Sequence, residues 1–315
     1  MKKISFIIIA FNEEKTIARC IKSIMKQKNL FDYEIIVVND SSTDSTIKVV
    51  SKFVKINKRI KLHSLLTNQG RGAARNTGIN ASIGEYVAFI DADIILPQNW
   101  LITCMSYMDR YDAVSGIAVP DGDVNYIYVK CKLNPKIVSH STIITGNNGL
   151  YNRKIFGSVM FDKSYKNGED FVFNHYLKKK KYKIYSITSL VVEHRESKDF
   201  IKELKWLYQS GLGASRLFKQ FGKLRLPDIT FFCLLIIVVL TTLLNYILHL
   251  YILILFLPLY VLFISTIHLI KKFHFQFNKS ISFTIAILLN SILLASYYWG
   301  RFIGIFTEKK SRFSN

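Results

Sequence analysis

Along the first hundred residues, short apolar runs alternate with stretches whose apolar residues recur at helical spacing. Ser5–Ala10, Tyr33–Val38, Ile60–Leu65 and Glu85–Ile90 read as strands. Between them, Glu13–Lys28 carries Ile17, Cys20, Ile21 and Ile24 on one helical face, and Gly72–Ser82 reads as a further helix. A polar turn from Asn39 to Asp44 closes the second strand and can cap the helix that follows. Strands that are apolar throughout and alternate with helices predict an α/β domain: a Rossmann-like, mostly parallel sheet with helices on both faces. Ligands in such sheets bind beyond the carboxyl ends of the strands, where Asp40 and the pair Asp91 and Asp93 stand.

After Lys198 the pattern changes. Ile201, Leu204, Leu207 and Tyr208 lie among Lys202, Lys205, Arg216 and Lys219, which predicts amphipathic helices on a membrane surface, interrupted at Gly211 and Gly213. From Ile229 to Ile270 there is no Asp, Glu, Lys or Arg, enough chain for two bilayer spans with a turn at Asn245 to Leu250. A third apolar stretch runs from Ile281 to Gly300, with Tyr297, Tyr298 and Trp299 placed like an interfacial aromatic belt. The expected organisation is a globular domain over 1–198, interface helices over 199–226, a transmembrane region over 227–306 and a basic tail over 307–315. The transmembrane helices number two or three, near 229–247, 250–270 and 281–300.

A formal net charge of +21 calls for an acidic partner. Basic residues flank the apolar stretches at Lys219, Lys223 and Arg225, at Lys271, Lys272 and Lys279, and at Lys309, Lys310 and Arg312. Anionic membrane lipids on the cytoplasmic side are the partner this placement predicts. Three spans would put the last cluster opposite the first two, so the count stays at two or three. The run Lys178 to Lys181 reads as a solvated helix end, and without a nucleic-acid motif beside it no nucleic-acid partner is expected. The apolar run after Lys2 and Lys3 breaks at Asn12, Glu13 and Glu14 without a cleavage site, so it reads as a buried strand and not a signal peptide. Cys20, Cys104, Cys131 and Cys233 are scattered without metal spacing, which predicts reduced thiols. The expectation is a multi-pass protein of the cell membrane whose first domain is cytoplasmic.

The segment Ile83 to Leu96 carries the sharpest chemical signal: a buried strand ends in two carboxylates one residue apart. Residues i and i+2 of an extended segment share a face, so Asp91 and Asp93 can converge on one cation. Like charges held that close repel unless a cation or donors compensate them. Oxygen ligands suit Mg²⁺ or Mn²⁺, which complete their shells with substrate phosphates. Two solvated Asp residues in a turn would read the same way, so the surroundings decide.

Those surroundings are four ordered motifs. Ser5 to Glu14, Ile35 to Thr46, Asn68 to Gly78 and Gly84 to Asp93 resemble successive motifs of the family 2 glycosyltransferases, which have the GT-A fold. The likeness continues through Thr145–Gly149 and Gly168–Asp170 and covers roughly Lys3 to Arg195. Position by position, it implies that Asp40 accepts from the nucleotide base, favouring uracil. Arg75 then lies near the nucleotide and diphosphate, where a guanidinium suits phosphate geometry. Asp91 is implied as a ribose or metal-shell contact and Asp93 as the direct ligand of Mn²⁺ or Mg²⁺. Asp170 is implied as the general base, with Gly146, Asn147, Asn148 and Glu169 shaping the acceptor side. His194 closes the strand Ile187–Val192 and matches a late metal ligand of some GT-A enzymes, with an ordinary histidine an equal alternative. Asn39 departs from the Asp usual there, and Ser158 to Asp162 replaces a Gly-Gly-Phe-Asp stretch.

The reading is an inverting enzyme that moves one sugar from a nucleotide-sugar donor, UDP-linked, to a lipid-linked or cell-surface glycan acceptor. The Gln-x-x-Arg-Trp signature of processive synthases is missing after the base, which favours one sugar per encounter. Two other readings stay open: a polyprenyl-phosphate sugar transferase, whose phosphate nucleophile has less need of a base, and a catalytically silent membrane scaffold.

Overall fold

Strand β1 (Lys3–Ala10) is buried from its second residue onward and lies in mid-sheet, flanked by β2 (Asp32–Asn39) and β4 (Tyr86–Asp91), both parallel to it. Outside β2 runs β3 (Ile60–Ser64), also parallel. A computed structural model describes residues 3–27, 31–120, 133–135, 144, 146–165, 168–195, 200–222, 273–275 and 283–307, with scattered positions between 229 and 266. These fall into two units, Met1–Asp121 with Ile137–Glu196 and Gly122–Lys136 with Ser197–Asn315.

In the first unit, helices cover both faces of the sheet, as the pattern predicts. Alternate residues of the strands point to opposite faces. Ile4, Phe6, Ile8, Ile35 and Val37 join one buried cluster with Cys20, Ile21 and Ile24 of α1 (Ile17–Met25), Val50 of α2 (Thr46–Ile56) and Trp100 of α4 (Trp100–Met105). Ile7, Ile9, Ile36, Val38 and Phe89 join the other with Ala74 and Ile79 of α3 (Arg71–Ala81) and Phe173 and Leu177 of α5 (Glu169–Lys179). Helix α1 starts four residues later than its apolar spacing suggests. Asn12 is left-handed at φ 58°, and the Thr16 hydroxyl binds the Glu13 carboxylate at 2.6 Å, so residues 13–16 form a turn.

Beyond β4 the sheet becomes mixed. The order is β3-β2-β1-β4-β8-β6-β9-β5, where β5 is Ile94–Ile95, β6 Ala113–Pro120, β8 Asn148–Asn152 and β9 Ile184–His194. Strand β8 runs antiparallel to both β4 and β6, and β5 pairs antiparallel with the end of β9. The expectation of a mostly parallel sheet therefore holds for its first four strands. The pocket loop expected over Thr145–Gly149 overlaps β8 at Asn148 and Gly149, residue types that do not signal a strand, yet Asn148–Asn152 pairs with β4.

In the second unit, α6 (Phe200–Phe221) packs against α7 (Phe283–Thr307), and β7 (Leu133–Pro135) pairs antiparallel with β10 (Phe273–Phe275). The interruption expected at Gly211 and Gly213 is not there. A Cβ on Gly211 would meet the Tyr297 carbonyl oxygen at 2.1 Å, so this glycine lets two helix backbones touch and does not end one. The Ser215 hydroxyl donates to the Arg301 carbonyl at 2.6 Å across the same contact. Among the described residues no helix is long and apolar enough to cross a membrane. The expected spans at 229–247 and 250–270 lie mostly outside the described residues, so the transmembrane reading has no support from the structure.

Candidate active site

Four chain segments leave the carboxyl ends of parallel strands and meet at one cleft of about 300 Å³. From β1 come Phe11 and Glu13, from β2 Asp40, from the turn after β3 Asn68, Gly70 and Arg71, and from β4 Asp91, Ala92 and Asp93. This is where an open α/β sheet binds ligands. Three of the expected donor and metal residues, Asp40, Asp91 and Asp93, line it.

Asp40 is buried, and both its oxygens already accept backbone bonds, from Gln69 N–H at 2.7 Å and Gly70 N–H at 2.9 Å. It therefore fixes the turn that starts α3, and the same turn displays Arg71. At the end of β4, the Asp91 N–H donates to the Asn147 carbonyl at 3.0 Å. Two residues on, one Asp93 oxygen is 3.1 Å from His194 Nε2, because Ile94 pairs with His194 where β5 meets β9. The other Asp93 oxygen, Oδ1, is buried with no hydrogen-bond partner among the described residues. A buried carboxylate oxygen left without a partner is costly, and its natural remedy is a cation.

Arg75 is only 1% exposed. Its guanidinium meets Glu169 at 2.5 Å, the Gly146 carbonyl at 3.0 Å and Asp91 at 3.4 Å, and it lies over the rings of Phe161 and Phe89. Glu169, expected on the acceptor side, is thus buried against Arg75, with 2% of its surface exposed. Asn148 is buried as well, its amide oxygen accepting from Gly116 N–H at 2.7 Å to tie β8 to β6. Asn147 remains partly exposed beside the end of β4. Asp170 is partly exposed on the first turn of α5, and one of its oxygens accepts the Phe171 N–H at 2.8 Å. Gly168 precedes it in the left-handed region at φ 82°, a conformation that turns the chain sharply into the helix.

The electrostatics follow from this crowding. Burial pushes the Glu13 carboxyl from its ordinary 4.5 up to about 7; the Thr16 hydrogen bond opposes the shift, and the charges of Asp93 and Asp91 add to it. Burial also raises Asp91, against the pull of Arg75 and Arg71. Asp170 is raised by burial and then by Glu169, with Arg75 opposing. A carboxylate raised in this way is a better proton acceptor than one at its usual value. Burial alone would discharge Arg75, but Glu169 first and Asp91 next hold it protonated.

Sequence reasoning passed over Glu13 and Arg71. Both stood inside motifs already singled out, and both follow the end of a strand, which was the available signal.

A family model described as "Glycosyl transferase family 2" matches residues 5–171, more than half of the chain. The chain belongs to glycosyl transferase family 2. The cleft just described therefore lies in a glycosyltransferase domain. The chain is 38% identical over 113 residues to the glycosyltransferase GlyA of Streptococcus pneumoniae, covering 35% of this chain and 16% of that protein. It is 28% identical over 195 residues to a poly(ribitol-phosphate) beta-glucosyltransferase of Bacillus spizizenii, covering 57% of this chain and 30% of the relative. The chain thus spans less than a third of the length of either. Among solved structures, the mannosyltransferase PcManGT of Pyrobaculum calidifontis, in complex with GDP-Man and Mn²⁺, superposes with a TM-score of 0.54 at 20% identity, covering 67% of this chain and 61% of that one. That likeness gives a mixed α/β, GT-A-like fold to this family 2 domain.

Whether a divalent ion fits can be tested on the side chains. Among the described residues no three His, Cys, Asp or Glu side chains are grouped closely enough to hold a metal by themselves. Asp93 with its unpartnered oxygen and His194 beside it make a partial set, with Asp91 two residues earlier at the end of β4; Asp93 lies in the turn after that strand, so the two carboxylates are not brought together by extended backbone as expected. That set fits an ion that shares its shell with substrate phosphates.

Proposed function

We propose that this chain is an inverting, metal-dependent glycosyltransferase that takes one sugar from a nucleotide-sugar donor, UDP-linked, and passes it to a lipid-linked or cell-surface glycan. The single observation that carries the reading is the Arg75 guanidinium, which bridges Asp91 in the donor cleft and Glu169 beside Asp170. It ties a carboxylate of the donor cleft, suited to sharing a cation with donor phosphates, to the helix start that carries the carboxylate suited to proton removal.

In this reading the nucleoside diphosphate lies over the carboxyl ends of β1, β2 and β4, with the base toward Asp40. Asp93, His194 and Asp91 would hold Mn²⁺ or Mg²⁺, which offsets the negative charge that grows on the departing diphosphate. Asp170 takes the proton of the acceptor hydroxyl as that oxygen attacks the anomeric carbon from the face opposite the leaving group. The bond from that carbon to the phosphate oxygen breaks, and the nucleoside diphosphate leaves with the electron pair. Asp170's raised proton affinity, set by burial and by Glu169, suits it to this task. Arg75 and Glu169 hold Asp170 at the start of α5 and keep the acceptor loop at Gly146 in place.

The second unit would anchor the chain in the cell membrane, with the catalytic unit in the cytoplasm and anionic lipids as partners. Supporting this are the uncharged run from Ile229 to Ile270 and the exposed Trp206, Ile292, Trp299 and Phe306. A bilayer-held enzyme meets lipid-linked acceptors in the same plane.

The test is Asp170→Asn. Removal of a general base lowers turnover about a hundredfold or more, so nucleotide release with acceptor present should fall by that much while donor affinity stays the same. Substantial residual turnover would favour a phosphate nucleophile. Failure of the wild-type chain to transfer from any nucleotide sugar would favour a silent scaffold.

A further inference from the structure

The donor cleft holds Glu13, Asp40, Asp91 and Asp93, four carboxylates, yet the reading above asks it to accept a diphosphate. A divalent ion would offset part of that charge, and a cation of the chain beside it would offset more. Arg75, the residue expected there, is not free to do so. Its guanidinium is enclosed by Glu169, Asp91 and the Gly146 carbonyl, with two aromatic rings beside it, and 1% of the residue is exposed. Moving it to a phosphate would strip Glu169 of its counter-charge inside the protein, a costly exchange.

Arg71 is placed differently. It sits one helical turn before Arg75, at the start of α3, and it is the one Lys or Arg among the described residues that line the cleft. Its side chain is exposed and makes no hydrogen bond or ion pair with any described residue. Partial burial and the charge of Arg75 work against its positive charge, and Asp91, Glu169 and Asp93 together outweigh them and keep it protonated. The turn that carries it is fixed by Asp40 through Gln69 and Gly70. A planar fork of donors, held in a cleft and not yet used, matches two adjacent phosphate oxygens.

We infer that Arg71 is the side chain that pairs with the diphosphate of the nucleotide donor, and that Arg75 is an internal positioning residue that does not touch it. The inference rests on the donor-site reading given above. It also makes Asp40 a double-purpose residue, since the carboxylate placed at the base also sets the turn that aims Arg71. The chain's own positive charge on the diphosphate then comes from one exposed residue, whose loss leaves the buried network untouched.

The experiment is a titration of the full chain with UDP and with uridine, and with GDP and guanosine, in Mn²⁺ at fixed pH. Wild type, Arg71→Ala and Arg71→Lys are compared. The expected result is that Arg71→Ala weakens the nucleoside diphosphate about tenfold, leaves the nucleoside unchanged and leaves the melting temperature unchanged. Arg71→Lys, a point charge in place of a fork, should fall between the two, and the salt dependence of diphosphate binding should be shallower in Arg71→Ala. Wild-type binding of a diphosphate that Arg71→Ala leaves intact, or an equal loss for nucleoside and diphosphate, overturns the inference and spares the donor-site reading. A wild-type chain that binds neither diphosphate overturns both.

Discussion

Glu13 is the residue where folding and chemistry pull hardest against each other. It lines the cleft with Asp91 and Asp93, and burial together with those charges lifts its carboxyl from 4.5 to about 7. Over that interval the folded chain keeps a proton that the unfolded chain has lost, so stability falls as pH rises and stays lower above pH 7. With Glu13 only partly buried, the cost at pH 8 is on the order of 1–2 kcal/mol. Glu13→Gln keeps an acceptor for the Thr16 hydroxyl and removes the charge. In EDTA, it should be more stable than wild type to urea at pH 8, with the difference shrinking toward zero near pH 4.5; equal stability at pH 8 would contradict the account. At this scale the places of Asp91, Asp93 and Asp170 were legible in the sequence, because they stand at a strand end or a helix start within ordered motifs, and the structure puts the first two in the cleft and the third on the first turn of α5. The sequence did not tell that Glu169 and Asn148 are buried and occupied, since burial is decided by elements far away in the chain.

Among the elements, α5 carries Asp170, the proposed base, and one side chain moors it. Asn174 is buried; its amide oxygen accepts from Ile144 N–H at 2.9 Å, and its nitrogen donates to the carbonyls of Ile144 and Asp170, both at 2.8 Å. The first turn of α5 is thereby stitched to the chain just before the Gly146 turn. Asn174→Ala leaves a buried N–H and carbonyl of Ile144 without partners, which should cost about 1–3 kcal/mol. The urea midpoint should fall with an unchanged slope, and turnover should fall further than donor affinity. An unchanged midpoint would show that the stitch contributes nothing. The alternation of strands and helices made the first half of the sheet legible. The antiparallel β8 and the two-residue β5 were not legible, because β8 begins with Asn and Gly, the apolar stretch Ile94–Leu96 around β5 is too short to signal a strand, and both exist through pairing with β4, β6 and β9.

For the whole molecule, the composition points beyond the cleft. A net charge of +21 and an uncharged stretch from Ile229 to Ile270 are properties of the chain as a whole. If the second unit is anchored as proposed, the full chain should stay with the membrane pellet through alkaline carbonate washing, and release into the supernatant would exclude integral spans. The central claim concerns the first unit, that its carboxyl-edge cleft is a metal-assisted donor site built on Asp93. The most direct measurement is the thermal shift of wild type and Asp93→Ala with a panel of nucleotide sugars, each with and without Mn²⁺. The account predicts that at least one nucleotide sugar raises the wild-type melting temperature only when Mn²⁺ is present, and that Asp93→Ala loses this shift. The same Mn²⁺-dependent shift in Asp93→Ala would contradict it.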